Sequence, residues 1–294
     1  MAVETAVMPF NPHTLRPARP GVALWWRQFA AVAGQALKSS LLSKRVLAVL
    51  ALMLMPIAFL TVIGFVKEDG EPLTNNLSYA RTIFGFVYST FILAAVLMLG
   101  NALMFTSIIR GDILNRSFHY ALLAAVRREI LVAGKFAGAF IAAGLLFGIA
   151  TIICYLLIYI PYGTTRLIMD LSGGVAVEQM ATYFLMTVMG CLGYGSIFMA
   201  AGLLFRNPLI PVLFVCGWEV VNFLMPPALK LLSITYYLKS LMPVLIDEGP
   251  LPLAIVASPL SPAMAIAGIF AVSAVCLGIS IYLIRRFEIR YTDE

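Results

Sequence analysis

The stretch IIRGDILNRSFHYALLAAVRREILVAGK, Ile108 to Lys135, is one run of charge set between the second and third apolar stretches of the chain. Its charges are ordered. Asp112, Asn115, Arg116 and His119 recur at helical spacing on one face, and Leu114, Phe118, Leu122 and Ala125 on another. The spacing predicts an amphipathic helix over 110–127, lying at a membrane surface. Arg127, Arg128 and Lys135 then mark re-entry into the bilayer on the side that retains cations. A short helix held between two spans is a place where a soluble partner can push on a membrane domain. The same residues also fit a solvated loop with snorkelling cations, and the pattern alone leaves both readings open.

Around this run the 294 residues are 62% hydrophobic and only 12% charged. A soluble domain holds roughly 25% charged residues, so the composition predicts an all-α, polytopic membrane protein. The net charge of +6 does not imply nucleic-acid binding, because the cations flank apolar stretches rather than forming a basic patch. Cys154, Cys191, Cys216 and Cys276 all fall inside apolar stretches, without metal-ligand spacing or a loop position suited to a disulfide. They read as small packing residues.

Six stretches approach the roughly 20 apolar residues needed to cross a bilayer. They run Val46–Val66, Thr82–Ile109, Phe136–Ile160, Met180–Phe205, Asn207–Met225 and Met264–Ile284. Pro56 and Pro211 are expected to kink the first and fifth. With both termini inside, Arg16, Arg19, Arg27, Lys38, Lys44, Arg45, Arg110, Arg116, Arg127, Arg128, Lys135, Arg206, Arg285, Arg286 and Arg290 lie on the cytosolic side. Lys67, Arg81, Arg166, Lys230 and Lys239 lie outside, a 15-to-5 division of the 20 cations. The positive-inside rule therefore predicts cytosolic termini.

Residues 1–20, with four prolines and no long apolar core, read as a flexible cytosolic tail rather than a cleaved signal. Residues 21–43, GVALWWRQFAAVAGQALKSSLLS, are too polar to cross. They predict an interfacial helix anchored by Trp25 and Trp26 at headgroup level. The remainder, 44–294, forms the membrane domain. Within it residues 226–262 are apolar yet broken by prolines, and predict short re-entrant helices in the outer leaflet. Gly134, Gly138, Gly144, Gly148, Gly190, Gly193 and Gly195 permit close helix contact.

Catalytic motifs are missing from the sequence. Gly134-Lys135 lacks the earlier glycine and following hydroxyl of a phosphate-binding loop. His13 and His119 stand in the tail and the charged run, so neither is placed for metal or nucleophile chemistry within the bilayer. One ionisable residue, Glu219, lies within an expected span, with Asn222 one turn on. Twelve residues from Asn207, or roughly 18 Å at helical rise, places it in the outer half. An intramembrane carboxylate marks a candidate gate or translocation path, or packing satisfied by Asn222, backbone or water.

The order of these elements, and above all DILNRSFHYALLAAVRREILVAGK, resembles the permease subunits of type V ATP-binding-cassette exporters, the ABC-2 type superfamily. Asp112, Arg116-Ser117, Tyr120-Ala121-Leu122-Leu123, Arg128 and Gly134-Lys135 fit that family's pattern of an acidic residue, a basic-Thr pair, an aromatic-Leu-Leu, an Arg and a Gly-Lys. Ser117 stands where Thr is commoner and Ala125 where Pro is usual. The resemblance implies a non-catalytic permease half in a bacterial inner membrane, paired with a second copy in the surrounding lipid. It implies a separately encoded ATPase that binds ATP and Mg, this chain holding no cofactor or metal. Asp112, Arg116, Ser117, Phe118, Tyr120 and Arg128 would then form the coupling helix seated on that ATPase. The competing expectation is a secondary transporter or channel in which Glu219 couples an ion.

Overall fold

In a computed structural model the described residues are 21–68, 71–72, 77–114, 126–205, 207, 209–221, 225–243 and 260–286. Long apolar runs uninterrupted by charge make helices here, because in hydrocarbon each backbone N–H and C=O must be satisfied within its own segment. Helix α1 spans Val22–Leu42 and α2 spans Arg45–Phe65. A two-residue antiparallel ladder follows, β1 (Lys67–Glu68) with β2 (Glu71–Pro72), Lys67 opposite Pro72. Helix α3 (Leu77–Val87) runs through a π-helical segment (Tyr88–Leu97) into α4 (Met98–Leu114). Then come α5 (Arg128–Leu157), a 3₁₀ turn at Ile160–Tyr162, α6 (Gly163–Ser172) and α7 (Val175–Leu204). The chain ends with α8 (Leu209–Val221), α9 (Pro227–Lys230), α10 (Ile234–Lys239) and α11 (Pro262–Arg285).

Among the described residues five helical runs are long and apolar enough to cross a membrane: Arg45–Phe65, Leu77–Ile108, Arg128–Ser172, Val175–Leu204 and Pro262–Arg285. The 21 residues of α2 rise about 32 Å, close to the hydrocarbon thickness. Of the fifth expected span, Asn207–Met225, the described helix α8 covers Leu209–Val221, 13 residues or about 20 Å. Pro211 sits in the first turn of α8 rather than at a kink, where its missing N–H costs no helical bond. Asn207 accepts the Leu209 N–H at 3.0 Å and helps start the helix.

Helix α7 is central, packing on α4, α5 and α11. It runs antiparallel to α5, with Val188 against Gly144 and Gln179 bonded to Tyr155 at 2.9 Å. Phe84, Tyr88, Tyr155 and Tyr183 form one buried aromatic cluster, with Phe84 4.8 Å from Tyr183 centroid to centroid.

The residues expected to form an interfacial helix, 21–43, are helical over Val22–Leu42 and pack along α5. Trp25 meets Arg127, Phe29 and Val32 meet Gly134, and Ala33, Ala36 and Leu37 close over Gly138. The two helices therefore run parallel. A Cβ at Gly134 would stand 2.9 Å from Val32 Cγ1, so glycine there sets the approach.

Candidate functional site

Glu219 lies in the last turns of α8, ten residues beyond Leu209 and so about 15 Å along the helix. Beyond α8 the chain turns back through two short helices, and their breaks have a sequence cause. Pro226 and Pro227 cannot continue a helix from α8, and Ser233 restarts one by accepting the Tyr236 N–H at 3.3 Å as the N-cap of α10. The Ser233 hydroxyl in turn donates to Glu219 Oε2 at 2.5 Å, and the Ile234 N–H donates to Oε1 at 3.1 Å. Both carboxylate oxygens are thus engaged by the start of α10. A negative group at a helix N-terminus also complements the partial positive charge of the free N–H groups.

The Tyr194 hydroxyl completes the cluster, 2.7 Å from Thr235 Oγ1. Tyr194 is ten residues before the end of α7, so it too is about 15 Å from the turn joining α7 to α8. Sequence counting from Asn207 placed Glu219 somewhat farther along. The difference arises because α8 begins at Leu209 and the polar cluster reaches down to it.

Helix α10 is seated in the bundle by small residues. Ile234 and Leu238 are fully buried, Ile234 against Gly193 and Leu238 against Gly190. Tyr237 lies over Gly268 of α11 and donates to the Leu231 carbonyl at 2.7 Å. Of the segment 226–262, the described residues include the short helices α9 and α10, and α10 docks against α7 and α11.

At the opposite end of the sequence-predicted site, Arg128 is exposed at the start of α5. Its Nη1 donates to the carbonyls of Arg285 at 3.2 Å and Ile284 at 3.5 Å, the last turn of α11. Beside it Glu129 and Arg285 pair at 2.6 Å. The Arg128 guanidinium thus lies at the carboxyl end of α11, where a cation is favoured. Arg127 lies 4.5 Å over the Trp25 ring, whereas Trp26 stays 66% exposed. Asp112 falls in the last turn of α4. Arg116, Ser117, Phe118, Tyr120 and Asn222 lie outside the described residues.

Two polar groupings carried no sequence signal strong enough to single them out. Arg81 pairs with Asp170 at 3.1 Å, with Tyr159 bonded to the same carboxylate at 3.3 Å. Deeper in, Thr187 Oγ1 lies 3.1 Å from both Tyr88 OH and Thr151 Oγ1. These hydroxyls come from α7, the π segment and α5, and only packing brings them together. Among the described residues no group of three or more His, Cys, Asp or Glu is placed to hold a metal. Cys154 and Cys191 are buried, as packing residues would be.

In comparisons with known proteins, no protein-family model, no curated protein and no solved structure matches this chain.

Proposed function

We propose that this chain is the membrane-spanning permease subunit of an ABC-2 type exporter. It works as a pair of copies with a separate ATPase in a bacterial inner membrane, both termini cytosolic. The observation that carries the reading is the broken segment ahead of the last long helix. Helix α10 is held inside the bundle, between α7 and α11, by its bonds to Glu219 and by the α7 and α11 glycines. Further support comes from the charged run between the second and third long helices. In this reading α8 with the residues after it supplies a sixth crossing, and α1 lies at the cytosolic leaflet.

The mechanism follows from those parts. ATP and Mg bind to the partner, and closure of the ATPase pair displaces the helix over 110–127. Arg128 and Glu129 join that region to the end of α11, and α11 carries the seat of Tyr237. Tilting α11 therefore loads the contact that holds α10, whose start is bonded to Glu219. This chain supplies the path and the gate and performs no chemistry of its own.

The test is reconstitution with the ATPase. Export should require ATP, and Arg116→Glu or Phe118→Ala should weaken the complex while leaving insertion intact. Truncating a buried aromatic anchor costs about 2 kcal/mol or more, roughly thirtyfold in affinity. Gradient-driven uptake that needs no ATP and vanishes in Glu219→Gln would instead establish the secondary-transporter reading.

A further inference from the structure

One face of α7 is lined with polar groups through its middle. Tyr183, Thr187, Cys191 and Tyr194 are spaced four, four and three residues apart and so share that face. Against it stand Tyr88 from the π segment, Asn101 from α4 and Thr151 from α5. A fully apolar seam would pack this interior with less desolvation. Instead two groups of the seam remain unmatched, two of four such buried side-chain atoms among the described residues. The Tyr183 hydroxyl and Asn101 Oδ1 have no hydrogen-bond partner, though these residues are 1% and 0% exposed. Buried polar atoms without partners are rare and costly in native proteins. A state in which the seam is wetted or occupied would satisfy both. The π segment, a geometry frequent at functional sites, runs along the same seam.

The far end of the seam, away from Arg128, is covered by α6. Gly163 and Gly174, with φ of 76° and 82°, bracket this helix and have open space around them. They allow it to pivot without steric cost. What ties α6 down is the ion pair of Asp170 with Arg81, braced by the Tyr159 hydroxyl. Tyr159, in the turn just beyond α5, lies 6.2 Å ring to ring from Tyr155, itself part of the aromatic cluster lining the seam and bonded to Gln179 at 2.9 Å.

We propose that the seam between α7, α5 and the π segment is a closed substrate path within a single chain, latched at its far end by Asp170 on Arg81. Its described lining offers hydroxyls, an amide and aromatic faces, and no ionised group between the Arg81–Asp170 pair and Glu219. It therefore suits a neutral, hydrogen-bonding solute with an apolar or aromatic face, because an ion would meet no counter-charge along it. The proposal rests on the transporter reading, but the latch and the ATP requirement can be tested apart.

The experiment uses full-length protein in membrane vesicles, with its four cysteines replaced and one cysteine placed at Thr187, in the seam. Ser280→Cys, buried on α11 and bonded to its own helix, is the control. A small hydrophilic methanethiosulfonate is the probe. Thr187→Cys should react, and at least tenfold faster when Asp170→Asn releases the latch, while Ser280→Cys stays inert. The double exchange Arg81→Asp with Asp170→Arg should restore slow labelling, which a general loosening would not do. Tyr159→Phe, a milder change, should accelerate labelling in the same direction. Labelling of Thr187→Cys as slow as Ser280→Cys in both latch variants overturns the proposal. Acceleration by the latch variants without any effect of ATPase and ATP keeps the path and removes the ABC reading.

Discussion

Glu219 of α8 accepts the hydroxyl hydrogen of Ser233 at 2.5 Å, at the start of the short helix α10. Fourteen residues of chain separate the two. The bond fixes where the chain re-enters the bundle, because Ser233 is also the N-cap of α10. A carboxylate that meets the first backbone N–H of a helix and its capping hydroxyl has a structural task that needs hydrogen-bond acceptors. A full charge adds to it through the helix dipole.

Glu219→Gln keeps one carbonyl acceptor and the side-chain shape, whereas Glu219→Ala leaves the Ser233 hydroxyl and the Ile234 N–H without that partner. The Ala variant should lose about 1–3 kcal/mol of stability and the Gln variant less. In transport, Gln should be tolerated and Ala should leak or uncouple ATP hydrolysis from export. Thermal unfolding in detergent and reconstituted export measure the two effects. Equal damage from both variants would count against an anchoring role.

Arg128 provides the second prediction. Its bonds to the Arg285 and Ile284 carbonyls place a cation at the end of α11, an arrangement worth about 0.3–1 kcal/mol. Arg128→Gln should lower the unfolding temperature more than Glu129→Gln. The Glu129–Arg285 pair is largely exposed, with side chains 40% and 61% accessible, and such pairs contribute roughly 0–1 kcal/mol. The reverse order would show that the ion pair, not the cap, holds this junction.

Gly138 tests the parallel contact of α1 with α5. Any side chain there collides with the Ala33 carbonyl and the Ala36 methyl, while Gly34 on α1 has open space. Gly138→Leu should cost about 1–3 kcal/mol, the usual range for overpacking, and expose α1 to protease. Gly34→Ala should be neutral or slightly stabilising, since alanine favours the helix. Limited proteolysis of the two variants separates a docked α1 from one that merely floats on lipid.

The orientation inferred from the 15-to-5 division of cations gives a fourth prediction. In a cysteine-free background, Ser172→Cys, at the exposed end of α6, should react in sealed cells with an impermeant thiol reagent. Ser117→Cys should react only after the membrane is opened. Labelling of Ser117→Cys from outside would reverse the orientation and remove the coupling helix with it.

The sequence by itself determined the helical, membrane-embedded character of this protein and the approximate place of its long helices. Apolar runs of this length have one solution in hydrocarbon, since an unpaired backbone group there costs several kcal/mol. It also marked Glu219 as the exceptional ionisable residue and the prolines as the breaks after α8. Other features depend on which surfaces meet, and no local pattern encodes them. The run 21–43 has the composition of a surface helix, yet Gly134 and Gly138 lie a hundred residues away and give it a seat on α5. Arg128 reads as a free cation until the end of α11 arrives beside it. Ser233 and Ile234 become the partners of Glu219 only because Gly190, Gly193 and Gly268 admit α10 to the interior. Tyr88, Thr151 and Thr187 come from three separate segments, so their hydroxyls form a group only after α7 has packed between its neighbours. Hydropathy is local and survives in any arrangement of the helices, whereas pairing of polar groups is decided by steric fit between residues distant in the chain.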